Sequence, residues 1–185
     1  MFQHRIPCAG LALLTLFGAA TVSAQQPDRV KQREIMQRMV ERARNTIGKQ
    51  VGEGHGSSFV EEILADAGGR PMVHVTHRIL ENKRPIPLIS CGWGQRVVKL
   101  GKGNQPLIPH AGCIVQFEEC CFEMDGYTDN FVHHSAIVEE ANGSMVTLLH
   151  QYAGDSKSGA TVSRATIDFA TQVRGHYFIY QPLPN

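Results

Sequence analysis

Two helical patterns, then a proline-interrupted stretch, then short alternating runs with an Asn-Gly turn predict an α+β domain, its helices packed on an antiparallel sheet. The 185-residue chain is 42% hydrophobic and 19% charged, enough apolar surface for a core and too apolar for a disordered chain. Eighteen Lys and Arg against 17 Asp and Glu leave a net charge of +1. That balance lacks the basic excess of a general nucleic-acid binder, so no nucleic-acid partner is expected. No apolar run is long enough to predict a membrane span.

Residues 1–24 carry one charge at Arg5, an apolar stretch from Ala9 to Ala20, and then Val22-Ser23-Ala24. This is the pattern of a secretory signal peptide, which predicts one secreted or periplasmic domain over residues 25–185. Cys8 precedes the apolar stretch and cannot be a lipid-bearing residue after the cleavage site. From Pro27 to Ile47, Met36, Met39, Val40, Ala43 and Ile47 form one stripe of an amphipathic helix, with Gly48 suited to its C-terminal cap. A second helix is expected to start at a Ser58-Phe59-Val60-Glu61 capping box, to bury Phe59, Val60, Ile63, Leu64 and Ala67, and to stop at Gly68-Gly69.

Over 71–111 only Val73–Thr76 alternates like a strand, and Pro85, Pro87, Pro106 and Pro109 argue against anything long. Strands are expected at Cys113–Phe117, Ser135–Glu139, Met145–Leu149 and His176–Tyr180, with a hairpin at Asn142-Gly143. Export permits disulfides, so one bridge is expected among Cys91, Cys113, Cys120 and Cys121, its pairing open.

Two segments could carry chemistry. The loop Gly48–Gly56 feeds a helix N-terminus, whose free N–H groups and positive dipole end can bind an anion or stabilise a thiolate, although an N-capped turn uses the same residues. It is not a Walker loop, because no Gly-Lys-Ser/Thr follows the glycines, and no cofactor is expected. The second segment runs from Phe131 through the hairpin to Tyr152. With a two-residue Asn142-Gly143 turn, His134 faces Gln151; a bulge would instead bring His150 and Tyr152 to its face. Either register sets a polar group beside an imidazole, as an oriented general base requires. His74-x-x-His77 lacks a second ligand pair, so no metal is expected.

The order "GKQVGEGHGSSFVEEILADAG", "CGWG", "PHAGCIVQF", "HHSAIVEEANGSMVTLLHQ" and "GHYFIYQP" resembles the NlpC-type and CHAP-type papain-like amidases and peptidases of exported bacterial proteins, from about Arg29 to the end. The resemblance implies a papain-like fold, with a cysteine nucleophile at a helix start, a histidine base on the following sheet and a polar residue orienting it. The nucleophile position holds Gly56, the base position His134, and the orienting position falls near His150, with Gln151 beside it a further catalytic candidate; Tyr152 stands where some relatives have Asn. Cys113 replaces the acid of the family's Pro-Gly-Asp-Ile pattern. The expectation is a catalytically degenerate domain with a groove for a peptide or peptidoglycan fragment, bounded by His55, Gly56, Trp93 and Tyr152. The alternative is an active amide hydrolase with His134 as base and Ser57, Ser58 or Cys91 as an unconventional nucleophile.

Overall fold

The computed structural model describes residues 26–81, 84–97, 107–151 and 160–185; the expected signal peptide and Tyr152 lie outside them. The architecture is α+β. Helix α1 spans Gln26–Asn45 and buries Ile35, Met39, Val40 and Ala43. Met36 is only half-buried, so the buried stripe is rotated by about one residue from the expected one. Ile47 leaves the helix to bridge Val162, and the Gly48 N–H donates to the Val162 carbonyl at 2.9 Å.

Helix α2 spans Gly56–Asp66, starting two residues before the expected cap. Ser58 lies inside the first turn, where its Oγ accepts from the His55 N–H at 3.3 Å and donates to the His55 carbonyl at 3.0 Å. The capping residue is therefore His55, and Gly56 is the first buried residue of the helix.

Strands β1 (Val73–Glu81) and β2 (Arg84–Gly92) form a separate two-stranded antiparallel sheet. The prolines did not prevent it. Pro85 and Pro87 lie two apart on a strand paired on one side only, opposite Leu80 and Arg78, so both can turn their nitrogens away from the ladder. A six-stranded sheet follows in the order β3-β8-β4-β5-β6-β7, from β3 (Gln95–Val97), β4 (Ile114–Met124), β5 (Tyr127–Asn142), β6 (Met145–Gln151), β7 (Val162–Asp168) and β8 (Gln172–Gln181). Its neighbouring strands pair antiparallel throughout. The four expected strands are longer than their patterns, and β3 and β7 had no expected counterpart. The β5–β6 turn is Gly143-Ser144, with Asn142 opposite Met145, one residue later than the Asn-Gly signal placed it.

Both helices pack on one face of this sheet, where Phe59, Ile63, Trp93, Ile114, Ile137 and Tyr180 are buried. The opposite face gathers Phe117, Phe122, Phe131 and Phe169 in mutual ring contact. Full burial of each such side chain contributes roughly 1.5–3 kcal/mol.

All four described cysteines are free thiols, which corrects the expected bridge. Cys113 and Cys120 are seven residues apart along β4 and its approach, an extended run too long for the roughly 7 Å between Cα atoms that a disulfide tolerates. Cys120 instead donates to the His176 carbonyl at 2.9 Å.

Candidate active site

A β-bulge between Val138 and Glu140 decides the register of β5 against β6. Below it Ala136 pairs with His150, so His134 and His150 share a face, as the bulged alternative requires. His134 Nε2 and His150 Nδ1 share a hydrogen bond at 3.1 Å, their rings edge to face. His150 Nε2 reaches Ser163 Oγ at 3.4 Å. The bulged Glu139 is itself buried and clamped by Arg44 of α1 and Arg164 of β7, at 2.6 Å each.

His134 is buried, with Phe131 and Phe117 stacked beside its ring. Burial, with the neighbouring His150 as a smaller cause, depresses its pKa to about 3; burial alone depresses that of His150 to about 4. Both rings are neutral at physiological pH. A neutral imidazole fixed through Nε2 can act as a base through Nδ1, provided a proton donor faces that nitrogen.

What faces it is Gly56. A Cβ added there would lie 2.7 Å from His134 Nδ1, 2.7 Å from Cε1 and 2.7 Å from the Ser135 carbonyl oxygen. The first turn of α2 thus rests on the imidazole and on the β5 backbone, without room for any side chain at position 56. The helix start and the two histidines lie together as a nucleophile, base and orienting group would, but position 56 carries no side chain and has no room for one.

No protein-family model, curated protein or solved structure matches the chain.

The other expected site residues are dispersed. Gln151 faces away from His134: its side-chain amide donates to the Val51 carbonyl and accepts from the Val51 N–H, both at 2.7 Å, and so fixes the glycine-rich loop to β6. His55 and Ser57 are exposed on the approach to α2 and on its first turn. Trp93 is fully buried, its indole N–H donating to Gln116 at 3.1 Å, so it belongs to the core and not to a groove. Cys91 is half-buried, and burial, then the Glu118 and Glu61 charges, raise its thiol pKa and keep it protonated.

His77 is buried under the β1–β2 hairpin, stacked on Phe178 at 3.8 Å. Arg96, which can only donate, meets Nδ1 at 3.0 Å; Nε2 therefore carries the proton toward Tyr180 Oη at 2.9 Å. Its role is to pin the hairpin to the sheet. Among the described residues no group of three or more His, Cys, Asp or Glu side chains converges as a metal site would.

Sequence reasoning overlooked a polar chain on the helix-facing side. Ser135 Oγ donates to Gln116 Oε1 at 2.5 Å, Gln116 donates to buried Glu118 at 3.1 Å, and the other Glu118 oxygen pairs with the exposed His133 ring. The signal was present: in Ile114–Glu118 the polar residues fall two apart, and adjacent strand histidines must face opposite sides. A cavity of about 690 Å³ lies between α1 and the C-terminal segment, and another of about 330 Å³ between α1 and Ala111–Glu139. Neither is lined by Gly56, His134 or His150.

Proposed function

We propose that this chain is an exported, catalytically silent domain on the papain-like amidase plan, which binds a peptide or peptidoglycan fragment without cleaving it. The observation that carries the silent half is the seat of Gly56 against His134, which leaves no room for a side chain at position 56. The helix start, strand histidine and second histidine on the next strand support the scaffold, the signal-peptide pattern of residues 1–24 supports export, and the motif order supports the ligand class. Ser58 does not substitute as nucleophile, because its hydroxyl closes the first turn of α2 on His55.

The test is to incubate the purified chain with insoluble peptidoglycan, measuring sedimentation of the protein and release of amines. The expected result is co-sedimentation with no amine release by the natural chain. Gly56→Cys is also expected to release none, because the new Cβ has no seat. Amine release by the natural chain that disappears in His134→Ala would establish a hydrolase and overturn the silent reading. Failure to co-sediment would overturn the ligand.

A further inference from the structure

The cavity between α1 and the C-terminal segment has the size of a ligand pocket. Its walls are held together before any ligand arrives. Gln32 of α1 donates to the Pro182 carbonyl at 3.0 Å, the Arg70 N–H donates to the Leu183 carbonyl at 2.8 Å, and Arg70 Nε donates to the Pro184 carbonyl at 2.8 Å. The last bond orients the Arg70 guanidinium and leaves its terminal nitrogens for another acceptor.

The lining is basic. Arg29, Arg33 and Arg70 line it against one carboxylate, Asp28. Among the described residues, the Arg29 and Arg33 side chains make no ion pair or hydrogen bond, while Arg42, Arg44 and Arg164 are each paired with a carboxylate. Arg42 is matched by Asp66, and Arg44 and Arg164 share Glu139; the cavity, with three arginines to one carboxylate, keeps the larger positive surplus. Guanidinium groups bind carboxylates in a planar, two-pronged geometry.

The remaining contacts favour a peptide as the bearer of those carboxylates. Gln95 and Gln181, cross-strand partners in β3 and β8, present side-chain amides that match the donors and acceptors of a peptide backbone. β3 is one of the two edge strands of the six-stranded sheet, and extended peptides bind beside such edges. Met36 and Leu183 supply apolar surface for aliphatic stems.

We infer that this cavity, and not the junction of Gly56 with His134, is the binding site, and that it takes an extended peptide bearing carboxylates. This rests on the reading of the chain as a binder. The experiment is calorimetric titration of the purified chain with tetraglutamate, tetraglutamine and tripolyphosphate, run beside sedimentation with peptidoglycan. Tetraglutamate is expected to bind, more weakly as salt rises, and tetraglutamine not to bind. Arg33→Glu, on the exposed surface of α1, is expected to lower affinity roughly ten- to a hundredfold, the range for a lost hydrogen bond to a charged group. Arg174→Glu, exposed on β8 outside the cavity, should leave it unchanged. Equal binding by Arg33→Glu and the natural chain, or tighter binding of tripolyphosphate than of tetraglutamate, would overturn the inference. Peptidoglycan binding without tetraglutamate binding would overturn the cavity and leave the binder reading standing; binding of neither would overturn both.

Discussion

Adding one methyl group at position 56 would bring carbon to 2.7 Å from both the His134 ring and the Ser135 carbonyl oxygen. In an ordinary helix Gly→Ala stabilises by roughly 0.5–1 kcal/mol, whereas overpacking costs about 1–3 kcal/mol. The backbone oxygen cannot rotate aside, so overpacking should win. Gly56→Ala is expected to destabilise by roughly 1–2 kcal/mol, read as a lower urea midpoint with an unchanged slope. Combined with His134→Ala, the loss should be smaller than the sum of the two, because the ring contact vanishes while the carbonyl contact remains. An unchanged or raised midpoint in Gly56→Ala would show that the helix start is not seated so closely. At this scale the sequence already reads well: glycine at 56, histidine at 134 and histidine at 150 are all visible. Their separation is not, because it depends on how closely a helix end approaches a strand eighty residues away.

Among the elements, the bulges do most to aim side chains. In β4 the register shifts between Glu118 and Cys121, and Glu119 takes a φ of 53°, a costly conformation for a residue with a Cβ. The facing residue of β8 is Gly175, with φ 80°, where an added Cβ would lie 2.2 Å from the Glu119 carbonyl oxygen. The bulge and the glycine form one unit, which sets the course of β4 just beyond Glu118. Gly175→Ala is expected to cost roughly 2–4 kcal/mol, from a left-handed residue with a side chain plus a backbone collision. Thermal melting and faster hydrogen exchange confined to β4 and β8 would report it; an unaltered melting temperature would mean that the strands adjust freely. The second bulge, at Glu139, is held by Arg44 and Arg164 and turns His150 to the side of His134. Turn chemistry located that hairpin to within one residue, but one residue is the difference between Gln151 and His150 facing His134. The β1–β2 hairpin was hidden for another reason: proline costs a strand little where only one edge is paired.

For the molecule as a whole, three buried histidines and one buried carboxylate act in the same direction with pH. The pKa values of His77, His134 and His150 are all depressed in the folded chain, His77 by burial and then by the Arg96 charge. Below their ordinary value of 6.5 the unfolded chain takes up protons that the folded chain refuses. Stability is therefore fully present above that value and falls as the solution is acidified toward about 4 and 3, where His150 and His134 finally protonate. The slope can reach about 1.4 kcal/mol per pH unit for each fully refusing histidine. Glu139, lowered chiefly by its hydrogen bond to Arg164, contributes stability above its ordinary value of 4.5 that is lost as pH falls further. Urea midpoints should fall steadily from about pH 6.5 to about pH 4, and His150→Gln should flatten that fall. A flat profile would contradict the burial of neutral rings.

By itself the sequence determined the α+β class, both helices, the main hairpin and the absence of a nucleophile at the position where the resemblance places one. These properties are written in local periods of 3.6 and 2 residues, in turn-forming residues and in the identity of single side chains. Only the tertiary structure decided that His134 meets His150, that Gly56 closes against the ring, that the cysteines stay apart, and that the basic cavity lies behind α1. Each of these turns on a one-residue register shift or on a few ångströms between segments far apart in the chain, distances set by the packing of the core as a whole.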